Sequence, residues 1–339
     1  MNKNNFDGIR IGLALIVVFA HLSVLTQVAE FKVFESIFDS NFAVKGFFAI
    51  SGFLVTKSYL TSNSLFEYAE KRFRRIYPAY LTSIFICLFI GACVTSLGFY
   101  DFITASQTLK YFLSNALFLN FIQPTLPFVF DNNPIHALDG SLWTIKVEVM
   151  LYFCMPPLIF LFTRLGLAKT TITFFLLSVA WVYFFVFVYS GNKGGEIALQ
   201  FPGQLSYFIL GSLFAINKKI LSKIKWIALV SCIILYSISN PYAKLLIDPI
   251  AYSSIVIFLS TMAFRSLNLG KYGDISYGIY LYHFPIIQFL IFLDLFKSNV
   301  WVGFSLAFIL TIAMTFASWH FVEKKLLKRT SHYVMATQN

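Results

Sequence analysis

An all-α polytopic membrane protein with about ten transmembrane helices is the fold class this sequence predicts, and three observations predict it. Of 339 residues, 58% are hydrophobic. Only 12% are charged, about half the share a soluble chain carries. Apolar runs of about 20 residues, the length that crosses a hydrocarbon core, recur from end to end. The 41 phenylalanines suit lipid-facing and interhelical surfaces. A net charge of +11 by itself suggests a nucleic-acid partner. Here the basic residues sit in short loops between apolar runs, where topology accounts for them, and no nucleic-acid partner is expected.

The expected spans cover about 8–27, 42–60, 79–98, 143–163, 171–190, 201–216, 225–240, 247–265, 274–293 and 299–321. The loops sort by charge under strict alternation. One face carries Lys3, Lys71, Arg72, Arg74, Arg75, Arg164, Lys169, Lys218, Lys219, Lys223, Lys225, Arg265 and Lys271. The basic tail with Lys324, Lys325, Lys328 and Arg329 lies on the same face. Lysines on the other face are interspersed with Glu30, Glu35, Asp101, Asp131, Asp139, Glu196 and Asp248. The positive-inside rule makes the basic face cytoplasmic and places both termini there. Residues 1–330 form one expected membrane domain, and 331–339 a short polar tail. The first apolar run is long and holds Arg10 and His21, so it is read as a span rather than a cleaved leader. Cys87, Cys93, Cys154 and Cys232 lie in apolar runs without C-x-x-C spacing, so neither a disulfide framework nor a metal site is expected.

Ionisable residues inside a membrane are costly and mark function by default. Arg10 and His21 are eleven residues apart, roughly 16 Å of helix and three turns, which puts them on one face. A histidine bonded to a backbone carbonyl is the bland alternative. In EKRFRRIYPAY, four cations fall within five residues before Pro78. Arginine's planar fork suits a bidentate phosphate clamp; a topology anchor or anionic-lipid contact is the competing account. Glu148, in GSLWTIKVEVMLY, lies about 7.5 Å inward of Trp143, at a depth comparable to His21. His21 with Glu148 is therefore the expected catalytic pair, a histidine base held by a carboxylate. His283, in DISYGIYLYHFPI, is expected to serve as a structural hydrogen-bonder. Ser51 and Gly52 in GFFAISGFL read as close-packing residues. Glu323 either pairs with the arginine run or caps solvated charge.

Taken together and in order, Arg10-x10-His21, FFAISGFL, RFRRIYP, GSLWTIKVE, SYGIYLYHFP and the terminal FVEK make this chain resemble the acyltransferase-3 family of integral membrane acyltransferases. That family includes bacterial O-antigen and exopolysaccharide O-acetylases. The resemblance implies a ten-span core in a bacterial-type plasma (inner) membrane. It implies an acyl-CoA donor, with acetyl-CoA the expected one, and no permanently bound cofactor. The acceptor would be a hydroxyl of a cell-surface glycan or its lipid-linked precursor. Positions matching motifs treated as functional are Arg10, His21, Arg72, Arg74, Glu148 and Glu323, with Arg75 an alternative register for the arginine run. Relatives that finish the transfer carry an added hydrolase-like domain; its absence here favours direct transfer. Acceptor choice is expected in the segment Tyr100 to Gly140 and the loop around Gly191 to Gly195, since loops on a rigid scaffold carry recognition. A flippase for a lipid-linked sugar and a lipid-organising protein without chemistry are the rival classes.

Overall fold

The computed structural model describes residues 5–263 and 273–327. Lys3, Arg265, Lys271, Lys328, Arg329, His332 and the tail 331–339 lie outside the described residues. Among the described residues the chain is helical without strands, and each expected span is found as a helix. The principal helices are α1 (Phe6–Thr26), α2 (Ser40–Leu60), α3 (Leu65–Val94), α4 (Trp143–Leu165) and α5 (Leu167–Tyr183). They continue with α6 (Phe201–Ile216), α7 (Ile224–Ser237), α8 (Pro241–Phe258), α9 (Ile275–Phe292) and α10 (Val300–Ser318).

Eight of the helical segments are long and apolar enough to cross a membrane by length and composition, and the protein is a multi-pass membrane protein. Helix α2 has the length but carries Lys45 and Lys57 and is not among the eight. The 14 residues of α7 span about 21 Å, less than the roughly 30 Å hydrocarbon core.

The third span differs most from expectation. It begins at Leu65 rather than near residue 79, so the arginine run is helical and not a loop. Its start is a capping box: the Glu67 amide donates to Ser64 Oγ at 3.1 Å, and the Asn63 amide donates to Glu67 Oε2 at 2.8 Å. Pro78 is absorbed inside the helix. At 30 residues, or about 45 Å, α3 exceeds the bilayer core, and its first third carries the arginines. Asparagine caps also start α8 and α10. Asn240 accepts from the amides of Tyr242 and Ala243, and Asn299 from those of Trp301 and Val302.

The chain divides into two compact units. The glutamate unit comprises residues 5–9, 41–69 and 147–263. Helix α6 is its most buried element, packing on α5 and α8. Backbones of α2 and α6 touch: a Cβ on Gly52 would fall on the Phe208 carbonyl oxygen, and one on Gly211 on that of Ala49. This close approach matches the close-packing expectation at Gly52, whereas Ser51 donates to Glu148.

The histidine unit comprises residues 10–40, 70–146 and 273–327. Helix α9 is its buried centre and packs along α10. The long segment between α3 and α4 contains short helices Phe99–Thr104 and Ser106–Ala116. Its remainder is pinned to α9 by Gln288, whose Nε2 donates to the carbonyls of Ile135 (2.6 Å) and Ala137 (2.7 Å). Asn133 Nδ2 donates back to the Gln288 side chain at 3.0 Å. Buried amides that exchange bonds in this way fix a loop that has no ladder of its own.

Candidate active site

Two cross-links join α1 to α9 within the histidine unit. At one end, Arg10 Nη1 lies 3.4 Å from Asp274 Oδ1. At the other, His21 Nδ1 lies 2.8 Å from His283 Nε2. Earlier residue meets earlier and later meets later, so these stretches run side by side in one direction. The separations are eleven residues on α1 and nine from Asp274 to His283, roughly 16 and 14 Å of helix.

The histidine pair has a determinable proton arrangement. His283 Nδ1 lies 3.0 Å from the Ile279 carbonyl oxygen, which only accepts. A neutral His283 therefore carries its proton on Nδ1 and offers a lone pair at Nε2. His21 must then donate from Nδ1, which leaves the lone pair of His21 on Nε2. His283 is completely buried, whereas His21 is half-buried. The Phe284 ring stands edge-on to His21, with centroids 5.4 Å apart, and restricts its rotation. The arrangement orients one imidazole by another and leaves the outer one a basic nitrogen.

Asp274 is the hub at the opposite end. Besides Arg10 it forms an ion pair with Arg75, and it accepts from Ser276 Oγ at 2.9 Å. Its side chain is 2% exposed, against 13% for Arg10 and 14% for Arg75. Two guanidiniums flank one carboxylate here, and Arg75 also interacts electrostatically with the carboxylate of Glu323. Arg75 also lies 5.8 Å from the Tyr277 ring centroid, a cation–π contact. Arg74 points elsewhere, to Glu70 at 2.9 Å and the Leu326 carbonyl at 2.9 Å. Arg72 is half-buried, one helical turn before Arg75 on the same side of α3.

Glu323 is 4% exposed and so is not a cap on solvated charge. It accepts from Ser318 Oγ at 2.8 Å, and Tyr282 OH donates to that same oxygen at 2.6 Å. The carboxylate ends a widened stretch of turns, Trp319–Glu323, that continues α10. Such turns recur at functional sites.

In the glutamate unit, Glu148 Oε1 accepts from Ser51 Oγ at 2.7 Å and from Tyr152 OH at 2.6 Å. The half-buried carboxylate is thus held by two hydroxyls. Its expected pairing with His21 joins residues of different units.

Two residues central to this geometry were not assigned these roles from the sequence, Asp274 and His283. A signal for them existed. Arg10 and His21 needed a buried carboxylate and a polar partner at matching depths, and DISYGIYLYH supplies both nine residues apart.

A histidine pair and an arginine–aspartate node thus lie on parallel helices of a multi-pass membrane protein. A family model described as an acyltransferase domain matches residues 3–321, and the chain belongs to this acyltransferase-3 family. It is an acyltransferase. The chain is 27% identical over 354 residues to the O-acetyl transferase of Shigella phage Sf6, covering 98% of each. It is 28% identical over 358 residues to Nodulation protein 10 of Rhizobium leguminosarum bv. viciae, covering 97% of this chain and 95% of the relative. Identity to the peptidoglycan O-acetyltransferase OatA of Listeria monocytogenes is 25% over 332 residues, spanning 83% of this chain and half of that longer protein. No solved structure matches the chain.

Proposed function

We propose that the protein moves an acetyl group from cytoplasmic acetyl-CoA to a hydroxyl of a surface glycan or its lipid-linked precursor in a bacterial-type inner membrane. The observation that carries this reading is the His21–His283 pair on the two helices that also bring Arg10 to Asp274, where α3 adds Arg75. The node, with Arg72 and Arg74 on α3, receives the phosphates of the donor. Its forked guanidinium donors suit them. Glu323 is a carboxylate and does not bind phosphate; it braces this end through Ser318 and Tyr282.

The thioester reaches His21 along α1. His21 Nε2 takes the proton of the acceptor hydroxyl as its oxygen attacks the thioester carbonyl. The tetrahedral intermediate collapses, the C–S bond breaks, and the thiolate of CoA leaves with the proton from His21. His283 accepts from His21 Nδ1–H throughout, so the pair stabilises the transient imidazolium. Glu148 is the carboxylate proposed to support the base. A double-mutant cycle of His21→Ala and Glu148→Gln tests that coupling, since additive losses argue for independent roles.

Purified protein is given labelled acetyl-CoA with and without acceptor glycan. Acceptor-dependent release of free CoA is expected, and His21→Ala abolishes it. A flippase or lipid-organising protein binds its ligands without releasing CoA, and that outcome overturns the proposal.

A further inference from the structure

The glutamate unit contains a cavity of about 310 Å³ that the reaction described above does not use. Its walls are apolar: Val179, Val182 and Val186 from the α5 region, with Leu199, Leu245 and Pro249. Five polar residues line this volume, Lys45, Gln204, Ser206, Tyr207 and Asp248. Its size lies at the lower end of the roughly 300–1,000 Å³ range of small-molecule sites, enough for one sugar ring.

Gln204 is the most informative of these groups. Its side chain is 2% exposed, and its Nε2 donates to the Leu199 carbonyl at 3.2 Å. Its Oε1 is buried and accepts from no protein group. A buried acceptor left in that state is destabilising, so a group retained there is set up for a donor from outside the protein. Lys45 Nζ sits 5.6 Å from the ring centroids of both Tyr207 and Tyr252. The cavity therefore combines one unmatched acceptor, Gln204 Oε1, with aliphatic walls and the ring of Tyr207. A ligand that matches it donates a hydroxyl to Gln204 and lays an apolar C–H face on the walls. A pyranose ring has both. A phosphorylated ligand would place its charge against Asp248 with a single lysine to offset it, which disfavours that class.

We propose that this cavity is a saccharide subsite, holding one sugar ring of the acceptor with Gln204 Oε1 accepting from a ring hydroxyl. The assignment rests on the acetyl-transfer reading above. It adds a place for the acceptor that the histidine and arginine residues do not supply.

Two substitutions separate recognition from folding. Gln204→Leu removes the unsatisfied acceptor at nearly constant volume and is expected to fold with equal or greater thermal stability. Gly195 borders the cavity, and a Cβ built there meets nothing within 4 Å, so Gly195→Phe adds bulk at the cavity without disturbing backbone. The full-length protein in detergent micelles is probed by saturation-transfer NMR with methyl glycosides of glucose, galactose, rhamnose and N-acetylglucosamine. At least one is expected to bind the parent, with binding weakened tenfold or more in both variants. Acetyl-CoA affinity is expected to stay unchanged in both. If no glycoside binds, or if binding survives in both variants, the cavity holds only water or lipid and the subsite is wrong. If the parent binds a glycoside here yet releases no CoA from acetyl-CoA, the subsite stands and the acetyl-transfer reading fails.

Discussion

The two units differ in what surrounds their candidate sites, although both bury polar atoms without a partner. In the histidine unit polar side chains close on one another: Arg10 and Arg75 on Asp274, His21 on His283, Tyr282 through Ser318 on Glu323, and Asn133 on Gln288. The glutamate unit instead brings helices into backbone contact at Gly52 and Gly211, and keeps an unsatisfied amide oxygen at a cavity. A reacting base must be held in one orientation, which closed pairs achieve. A ligand site must keep room and unspent hydrogen-bonding capacity. A base held in one orientation and a ligand site with unspent hydrogen-bonding capacity place contrary demands on a membrane interior.

The largest effect should break the histidine side of the comparison. His21→Ala is expected to lose between about 10² and 10⁴ of turnover, the range of a general base, with acetyl-CoA affinity retained. CoA release under saturating donor measures it. Retained turnover would move the base elsewhere. His283→Phe is expected to cost on the order of 10²-fold by freeing the His21 ring from its partner. His283→Gln, whose side-chain oxygen still accepts from His21 Nδ1–H, should recover part of that loss and shift the pH profile. Equal losses in both variants would mean that His283 only fills space.

The glutamate side is tested by packing. Gly52→Ala drives a methyl into the Phe208 carbonyl and is expected to destabilise by about 1–3 kcal/mol. Gly195→Ala, in open space, should change the unfolding midpoint little. Thermal unfolding in detergent distinguishes them, and similar midpoints would mean that the α2–α6 contact is looser than the geometry requires.

How much of this was written in the sequence depends on the range of the signal. The ten helices were legible because an apolar run of about 20 residues is a local property. The start of α3 was missed because the charge run was read as a loop, although Asn63-Ser64 with Glu67 announced a helix start. Arg10 and His21 stood out as ionisable groups on one stripe, yet their partners Asp274 and His283 lie more than 260 positions along the chain. Periodicity within one helix says nothing about which other helix it faces. Gln204 was invisible for the same reason, since only a three-dimensional neighbourhood shows that its oxygen lacks a donor. The expected Tyr100 to Gly140 segment was recognised by its length, while the Gln288 anchor that orders it comes from α9.

The smallest effect sharpens the contrast at the edge of the histidine unit. Asp139 precedes the fourth span and is 8% exposed. Burial pushes its pKa from 3.8 up to about 7, against the opposing pull of the Ser141 amide and hydroxyl, which donate to Oδ1 at 2.9 and 2.6 Å. A carboxyl raised in the folded state binds its proton more tightly than in the unfolded chain. Its contribution is therefore fully present below about 4, and it is lost as pH rises through about 7. Between pH 6 and 7 the loss should amount to about 1 kcal/mol. Asp139→Asn keeps an acceptor oxygen for Ser141 but cannot ionise, so the unfolding midpoint of this variant should fall less steeply over that interval than that of the parent. Parallel pH profiles for the two proteins would show that Asp139 is already ionised at pH 6, and that the Ser141 bonds outweigh its burial.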